Sequence, residues 1–467
     1  MITILTALIT IPIITKNLGA NAYGVYVLII VTAGLIPLVT TLGLPFTMVR
    51  FLAASNNTQE VQEGFHSIFF VTALMSVITS ISVFLVMKML LATWFDYYLT
   101  LYIEFPLYLL FVSLNLTTIA YFRTFQQIKR VSALMLFRAL ASVVLVFFFV
   151  LFGWGLPGVI AAYTVVEAVI FSASMFVIFS EIGFQVPRFL NLKAYLSFGL
   201  PLVPSNLTSW IVDSSDRYVI SILLGAVYVA YYSPAYTLGN AVVLFTAPFG
   251  FILPAVLSKY YDENRITRVT TVLDYSLKYF LMSAAPFAIV ASLFSRQILT
   301  LLSTTEIAQN GYLVTPYVAF SALVFGVSSI VSNMMVLKKR TDINAATWII
   351  AALLNVGVNI LLVPYFGIVG AAIGTVFAYL FASTVFVYYT LRSSKIRLDY
   401  VMSARIMGAA FVAGILLVPL TSRSIIELFP ILVFSAAFYV GLLFLFRVVN
   451  RRELSMFIYL FGIKKAF

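Results

Sequence analysis

Long apolar segments recur along the whole chain and are separated by short polar gaps. Each segment has roughly 20 residues, which is enough for a helix to cross the ~30 Å hydrocarbon core of a bilayer. The residues within a segment do not alternate between apolar and polar, so the segments are not strands of a membrane β-barrel. We therefore predict an all-α polytopic membrane protein with about fourteen transmembrane helices. The predicted spans are 2–17, 23–49, 66–90, 99–122, 131–152, 156–180, 195–224, 228–257, 275–301, 312–337, 343–363, 367–391, 401–420 and 428–446.

The composition agrees with this pattern. Hydrophobic residues make up 63% of the chain and charged residues 9%, whereas soluble domains carry about 25% charged residues. The mean hydropathy is +1.08. The chain contains no cysteine, which excludes a disulfide framework and thiolate metal sites.

The basic residues indicate an orientation. With a cytoplasmic N-terminus, all but five of the 28 Lys and Arg lie on the cytoplasmic side, as the positive-inside rule requires. We therefore predict a multi-pass protein of the cell membrane with both termini in the cytoplasm. The net charge of +12 is then an orientation signal, and nucleic acid is not an expected partner. The five exceptions are Lys16, Lys88, Arg217, Arg296 and Arg423.

Three pairs of short segments indicate an internal duplication of about 210 residues. They occur in the same order in both halves, and six crossings bring the second copy into the membrane from the same side as the first. We expect two parallel six-helix repeats that form two lobes around a central cavity: an N-lobe over 1–192 and a C-lobe over 193–392, with an additional helix pair and a tail over 393–467. The pairs are LGANAYGVY from Leu18 with LGAVYVAYY from Leu224, LPFTMVRF from Leu44 with LPAVLSKY from Leu253, and GLPG from Gly155 with GIVG from Gly367.

The first predicted helix is short. When the second repeat is aligned on the first, about 30 residues of helix precede Gly225, but only about 18 residues precede Gly19. We expect either a misplaced or missing start, or a short helix in a locally thinner membrane.

Five segments carry a family resemblance: PIITKNLGANAYGVY, LGLPFTMVRF, SSDRYVI, YYSPAYTLGN and LLNVGVNILLVPYFGIVGAAIGT. They resemble the corresponding segments of the polysaccharide transporters of the Wzx type, in the multidrug, oligosaccharidyl-lipid and polysaccharide (MOP) exporter superfamily. The resemblance implies a fold like that of the MATE transporters. It also implies a flippase that moves a polyprenyl-(di)phosphate-linked oligosaccharide to the outer leaflet by alternating access. The lipid-linked oligosaccharide and the bilayer are the expected partners, glycan assembly proteins are further candidates, and no cofactor is expected beyond a coupling H⁺ or Na⁺.

The seventh predicted span contains the first candidate site. Charges that face lipid are costly, so charged residues in a span favour a water-filled path. Asp213, Asp216 and Arg217 lie in WIVDSSDRYVI, and the spacing of four places Asp213 and Arg217 on one helix face. This predicts a coupling-ion or headgroup site. The alternative is an ion pair at an early helix end, with the span stopping at Ile211.

Glu167 is the other acid expected inside the membrane. It lies in the middle of AAYTVVEAVIF with no basic residue within a turn, so we expect an unpaired carboxylate that tends toward its neutral form and suits proton coupling. The alternative is a neutral side chain that is hydrogen-bonded to a neighbouring helix. Arg138, in the fifth span, is predicted either to snorkel to the cytoplasmic interface or to face a phosphate.

Four more residues are candidates. Arg50 and Lys259 occupy matching positions at the cytoplasmic ends of the second and eighth spans, where they either receive an anionic headgroup or anchor the helices. Asn355 and Asn359 lie four residues apart in the eleventh span and either bond to a neighbouring helix or contact sugar.

Two other functions compete with the flippase. A membrane glycan polymerase or ligase would need a sizeable outer loop with catalytic residues, but the predicted outer loops are short and the sequence has no Gly-rich phosphate loop. We therefore do not expect an enzyme. A cation-coupled exporter of drugs or other small molecules shares the twelve spans and the twofold repeat, and remains open at this stage.

Overall fold

The computed structural model describes residues 2–55, 57–90, 100–394, 399–418 and 425–449. Within these residues it contains nineteen α-helices and one 3₁₀ helix, with no β-strand. The all-α prediction is therefore confirmed. Helices satisfy every backbone hydrogen bond within one segment, which is what the hydrocarbon core requires of an apolar chain.

Contacts divide the chain into two compact units. The first unit comprises Met1–Pro234 and Leu301–Ile307, and the second comprises Ala235–Thr300 and Ala308–Phe467. The predicted lobes, with boundaries at 192 and 392, follow the repeat in the sequence and not these contacts. Those boundaries stay a prediction. The helices up to Leu223, all in the first unit, are α1 (Ile2–Thr40), α2 (Leu44–Leu52), α3 (Thr58–Leu90), α4 (Leu101–Thr124), α5 (Ile128–Leu151), α6 (Gly155–Ile182), α7 (Leu192–Gly199) and α8 (Leu202–Leu223).

The unit boundaries fall inside three of the remaining helices, α9, α12 and α13. These helices are α9 (Ala226–Asn240), the 3₁₀ helix η1 (Ala241–Thr246), α10 (Ala247–Asp262), α11 (Ile266–Leu293), α12 (Ser295–Leu302), α13 (Thr305–Gly311), α14 (Val314–Val331), α15 (Asn333–Leu337), α16 (Thr341–Phe366), α17 (Ile368–Ser394), α18 (Tyr400–Leu417) and α19 (Ile425–Leu445).

Ten helical segments of the described chain are long and apolar enough to cross a membrane. One of them, Thr6–Thr40, covers most of the first two predicted spans, but the second of these was expected to continue to 49, and in the structure that part belongs to α2. Two shorter apolar helices lie where the last two spans were expected. The seventh predicted span corresponds to α7 and α8. It falls outside the ten segments, as expected for a helix with three charged residues near its middle.

Glycines separate consecutive spans at matching positions of the two repeats. Gly19 interrupts α1 with φ 81° and ψ 178°, and Gly225 separates α8 from α9 with φ 103°. Gly155 and Gly367, at the starts of α6 and α17, also have positive φ, at 62° and 58°. Glycine adopts such angles without the steric strain that a side chain would introduce. These paired backbone conformations support the duplication predicted from the sequence.

Prolines coincide with interruptions in the longer spans. The second span breaks at 41–43, just before Pro45. The seventh breaks at Pro201, and the eighth passes through the 3₁₀ helix before Pro248. Proline removes a backbone donor and clashes with the preceding turn, so it favours such breaks.

Candidate functional site

An ion pair lies inside the first unit, between α5 and α6. Arg138 Nη2 is 2.8 Å from Glu167 Oε2. Glu167 is only 5% exposed, and Asn115 on α4 donates to the same carboxylate oxygen at 2.7 Å and to the Glu167 backbone carbonyl at 2.8 Å. Three helices therefore hold one carboxylate through a cation and an amide, which together offset the cost of burying the charge.

The expectation of an unpaired Glu167 is wrong. Its partner, Arg138, comes from the preceding helix, 29 residues earlier in the chain. A search for a base within one helical turn cannot detect a partner that lies across a helix–helix contact. Arg138 extends its guanidinium to this carboxylate while its side chain stays 34% exposed. The ion pair, rather than an isolated acid, is the chemical unit at this position.

The pair borders a cavity of about 280 Å³ inside the first unit. Tyrosine rings and hydroxyl groups line the cavity beside the two charges. The hydroxyls of Tyr26 and Tyr163 are hydrogen-bonded at 2.8 Å, and the ring of Tyr163 lies 6.1 Å from that of Tyr26 and 6.0 Å from that of Tyr108. The cavity therefore combines one ion pair with a hydrogen-bonding aromatic wall. Its lining includes Thr6, Thr10, Tyr26, Tyr108, Ser142 and Tyr163.

Two polar atoms in the lining have no hydrogen-bond partner in the described part of the chain. They are Arg138 Nε and the Ser142 hydroxyl, and both are shielded from solvent. Buried polar groups are nearly always hydrogen-bonded. A donor and a hydroxyl that remain available beside a cavity suit an occupant with oxygen atoms, such as water, a phosphate or a sugar hydroxyl.

A second charged cluster lies on α8 and α9 in the same unit. Asp216 is fully buried. Its Oδ1 accepts from Arg217 Nη1 at 2.7 Å and from the Arg217 backbone N–H at 2.9 Å, while its Oδ2 accepts from the Tyr232 hydroxyl. The Arg217 guanidinium also lies 5.5 Å from the centre of the Tyr232 ring. The buried carboxylate therefore has both oxygens engaged.

The structure brings Arg217 to both of the acids predicted from the sequence. Arg217 pairs with its neighbour Asp216, and it reaches Asp213 through the backbone carbonyl, at 2.5 Å from Nη1. Adjacent residues point in different directions on a helix, but a long arginine side chain can curl back to its neighbour. The alternative, in which the span stops at Ile211, is wrong because α8 continues to Leu223. Asp213 itself is exposed.

Asn355 and Asn359 form a hydrogen-bonded pair in the second unit. Both are fully buried. Asn359 Nδ2 donates to Asn355 Oδ1 at 3.1 Å, and Asn355 Nδ2 donates to Thr375 on α17 at 3.4 Å. A β-carbon added to Gly374 would come within 2.0 Å of Asn359 Oδ1, so the small residue permits this close approach of α16 and α17. In this structure the pair therefore bonds to a neighbouring helix.

The duplicated basic residues lie near helix ends. Arg50 occupies the last turn of α2, and Lys259 the last turn of α10. Both are exposed. Cations in this position interact favourably with the helix macrodipole, which fits the interpretation that they anchor the helices. Both side chains are also accessible to an anionic headgroup, and that role stays a prediction.

Sequence reasoning missed several residues around Glu167. Asn115 carried a signal, because it is an amide in the middle of the apolar fourth span. Tyr26, Tyr108 and Tyr163 carried none, because they are three of 27 tyrosines in the chain. Only the packing of α1, α4 and α6 brings these rings together.

Comparison with known families identifies the class. The sequence profile described as "Polysaccharide biosynthesis protein" matches residues 1–256, which is more than half of the chain. A second profile, described as MatE, matches residues 201–361. The chain belongs to the polysaccharide biosynthesis protein family.

A curated relative extends this result. The chain is 20% identical over 275 residues to a protein of Haloferax volcanii named "Probable low-salt glycan biosynthesis flippase Agl15". The match includes 56% of this chain and 57% of that protein. The chain thus spans little more than half the length of this relative.

Solved structures share the fold. A MATE family transporter of the MOP superfamily in an inward-facing conformation has a TM-score of 0.68 at 19% identity, over 85% of this chain and 95% of that one. The lipid II flippase MurJ in an inward closed conformation has a TM-score of 0.71 at 14% identity, over 97% of this chain and 99% of that one. The chain is thus a multi-pass membrane protein with a MATE-like fold.

Proposed function

We propose that this protein is a flippase that moves a polyprenyl-(di)phosphate-linked oligosaccharide from the cytoplasmic to the outer leaflet of the cell membrane. Translocation proceeds by alternating access and is coupled to an H⁺ or Na⁺ gradient. Both chain termini lie in the cytoplasm, and the product serves the assembly of a surface glycan. Transport, rather than bond chemistry, is the activity of the chain.

Membership of the polysaccharide biosynthesis protein family supports this proposal. The curated relative is named as a glycan biosynthesis flippase, and MurJ, which shares the fold, is titled a lipid II flippase. The seventh and eighth spans contain a buried charge cluster around Asp216, and ionisable residues within membrane spans commonly mark substrate or ion pathways.

The observation that carries the coupling proposal is the Glu167–Arg138 pair beside the tyrosine-lined cavity. At about 280 Å³, the cavity is at the lower limit of the ~300–1,000 Å³ found for pockets that hold small molecules. An oligosaccharide is far larger. We therefore assign this cavity to the coupling ion and its water, and not to the passage of the whole glycan.

Protonation of Glu167 supplies a two-state element. The neutral acid no longer holds the Arg138 guanidinium by charge, so the arginine is released to bind another anion or water. Deprotonation restores the ion pair. Binding of a proton thereby changes the charge distribution of the first unit. A proton shifts the equilibrium between two conformations only if it binds one of them more tightly than the other, and the ion pair provides a basis for that difference.

Deletion and complementation in the native host test the proposal with the natural substrate. We expect deletion to remove the surface glycan and to accumulate its lipid-linked precursor, and we expect the wild-type gene to restore export. Glu167→Gln should fail to restore it. Asp342→Asn, a matched acid-to-amide change at an exposed residue, should restore it fully. Unchanged surface glycan after deletion would disprove the flippase proposal, whereas full rescue by Glu167→Gln would disprove only the coupling assignment.

One observation favours the exporter alternative. The MatE profile matches residues 201–361, and MATE transporters share the fold. A cation-coupled exporter predicts that deletion increases sensitivity to cationic drugs and leaves the surface glycan intact. The same deletion strain therefore distinguishes the two functions.

A further inference from the structure

A second cavity, of about 360 Å³, lies inside the second unit and takes no part in the site described above. We call it the α11–α18 cavity, after two of the helices that contribute to it. Its walls combine apolar side chains with charges of both signs. The residues that carry the argument are Asp274, Tyr275, Lys278, Asp399 and Ser403.

The positive side of this cavity is Lys278. It is 93% buried, and its ammonium lies 5.8 Å from the centre of the Tyr275 ring and 5.9 Å from that of Tyr279. Aromatic faces stabilise such a cation. A buried ammonium beside a cavity is also a strong donor for a phosphate.

The negative side consists of two carboxylates. Asp274 precedes Lys278 by one helical turn, and its Oδ1 is shielded from solvent without a hydrogen-bond partner in the described residues. Asp399 approaches from the N-terminus of α18, where it caps the helix by accepting from the Met402 backbone N–H at 2.8 Å. The two carboxylates line the same cavity, and like charges that share a site repel one another. A cationic donor between them would relieve this repulsion and satisfy Asp274 Oδ1.

The length of α11 is compatible with a position of the cavity near a membrane surface. With 28 residues, α11 is about 42 Å long at 1.5 Å per residue, which exceeds the ~30 Å hydrocarbon core by about 12 Å. Asp274 lies eight residues after Ile266, which is about 12 Å along the helix. If the extra length of α11 lies at its N-terminal end, Asp274 is near the boundary of the hydrocarbon core. The charge pattern predicts that this end of α11, and the start of α18, face the cytoplasm.

We propose that the α11–α18 cavity binds the headgroup of a zwitterionic phospholipid that carries a primary ammonium, of the phosphatidylethanolamine type. The ammonium lies between Asp274 and Asp399, and the phosphate lies at Lys278, in a cavity that Tyr275 and Ser403 also line. A primary ammonium donates three hydrogen bonds. A choline headgroup has no N–H to donate, and a glycerol headgroup has no cation for the carboxylates. The bound lipid would join α11 of the second repeat to α18 of the additional helix pair.

Native mass spectrometry of the full-length protein tests this assignment. The purified protein is exchanged into detergent with phosphatidylethanolamine, phosphatidylcholine or phosphatidylglycerol at equal concentration. We expect one phosphatidylethanolamine to be retained at least tenfold more tightly than either of the other lipids, and to raise the melting temperature. Equal retention of all three lipids would overturn the proposal. So would stabilisation by NaCl or MgCl₂ alone to the same extent, because the cavity would then be an ion site.

Variants separate the headgroup contacts from the folding of the unit. Asp399→Asn retains an N-cap residue, since asparagine caps as well as aspartate, and removes only the charge. We expect Asp399→Asn and Lys278→Met each to reduce the preference for phosphatidylethanolamine at least tenfold, with an unchanged elution volume on size exclusion. The exposed control Asp342→Asn should retain the preference. A folded Asp399→Asn protein with wild-type lipid preference would also overturn the proposal.

Discussion

Gly19 and Gly225 both have positive φ at matching positions of the two repeats, 81° and 103°. Gly19 interrupts α1, and Gly225 lies between α8 and α9. A β-carbon at either position would meet no heavy atom within 4 Å. Backbone conformation, and not lack of space, therefore requires glycine at both positions.

We expect Gly19→Ala and Gly225→Ala each to lower the free energy of unfolding by about 1–3 kcal/mol, the cost of forcing a side chain into such a region. The measurement is denaturant unfolding of the purified protein in detergent. Gly250→Ala is the matched control, because its β-carbon is equally unobstructed and its helical backbone suits alanine. This control should be neutral or slightly stabilising. If Gly250→Ala lowered the free energy of unfolding as much as the other two variants, the explanation from backbone conformation would be contradicted.

The Glu167–Arg138 pair predicts non-additive effects on stability. Arg138→Gln leaves a buried carboxylate without its cation and is expected to cost about 3 kcal/mol, the low end for a broken buried pair, because Asn115 still donates to Glu167. Glu167→Gln should cost less, since the Arg138 side chain is partly exposed and can turn toward water.

The double variant Arg138→Gln/Glu167→Gln should be more stable than the sum of the single changes implies, with a coupling energy within the ~0.5–3 kcal/mol typical of residues in contact. Unfolding of the four proteins under one condition measures this coupling. Strict additivity would mean that the pair has no role in stability. The exposed pair Arg340–Asp342 is the control, and its coupling should stay below about 1 kcal/mol.

Most of the fold could be predicted from the sequence because helices in lipid are specified locally. A run of apolar residues must form its own backbone hydrogen bonds, so the spans, the repeat and the positions of its glycines are all visible in the chain. The candidate site was less predictable. Glu167 was visible as an acid in an apolar span, but its partner Arg138 is set by the contact between α5 and α6. Likewise, the sequence does not show that Asp216 is buried while Asp213 is exposed, because the burial of Asp216 depends on the contact of α8 with Tyr232 of α9.

The hydroxyl of Tyr232 holds the second oxygen of Asp216. We expect Tyr232→Phe to cost about 1.5–3 kcal/mol of stability, the range for a hydrogen bond to a charged group, with little change in packing. Tyr228→Phe is the matched control, because Tyr228 is 43% exposed. Thermal unfolding of the purified variants gives the comparison. Equal melting temperatures for the two variants would show that the Tyr232 hydroxyl does not stabilise Asp216.

Charge removal at this cluster should stop transport without blocking insertion. We expect Asp216→Asn and Arg217→Gln to abolish export of the surface glycan in the deletion strain, while the protein remains at its wild-type level in the membrane fraction. Asp213→Asn should have a smaller effect, because Asp213 is exposed whereas Asp216 is fully buried. Wild-type surface glycan in the Asp216→Asn strain would remove this cluster from the transport path.

The predicted orientation can be tested by labelling single introduced cysteines in this protein, because its own chain contains no cysteine that would react as well. Thr305 lies on the side that the charge pattern assigns to the exterior, Glu263 on the side assigned to the cytoplasm, and both are exposed. In intact cells, a membrane-impermeant maleimide should label Thr305→Cys and leave Glu263→Cys unlabelled until the membrane is permeabilised. Adding the reagent after permeabilisation controls for the reactivity of both thiols. Labelling of Glu263→Cys alone in intact cells would reverse the topology, and would place the α11–α18 cavity at the outer surface.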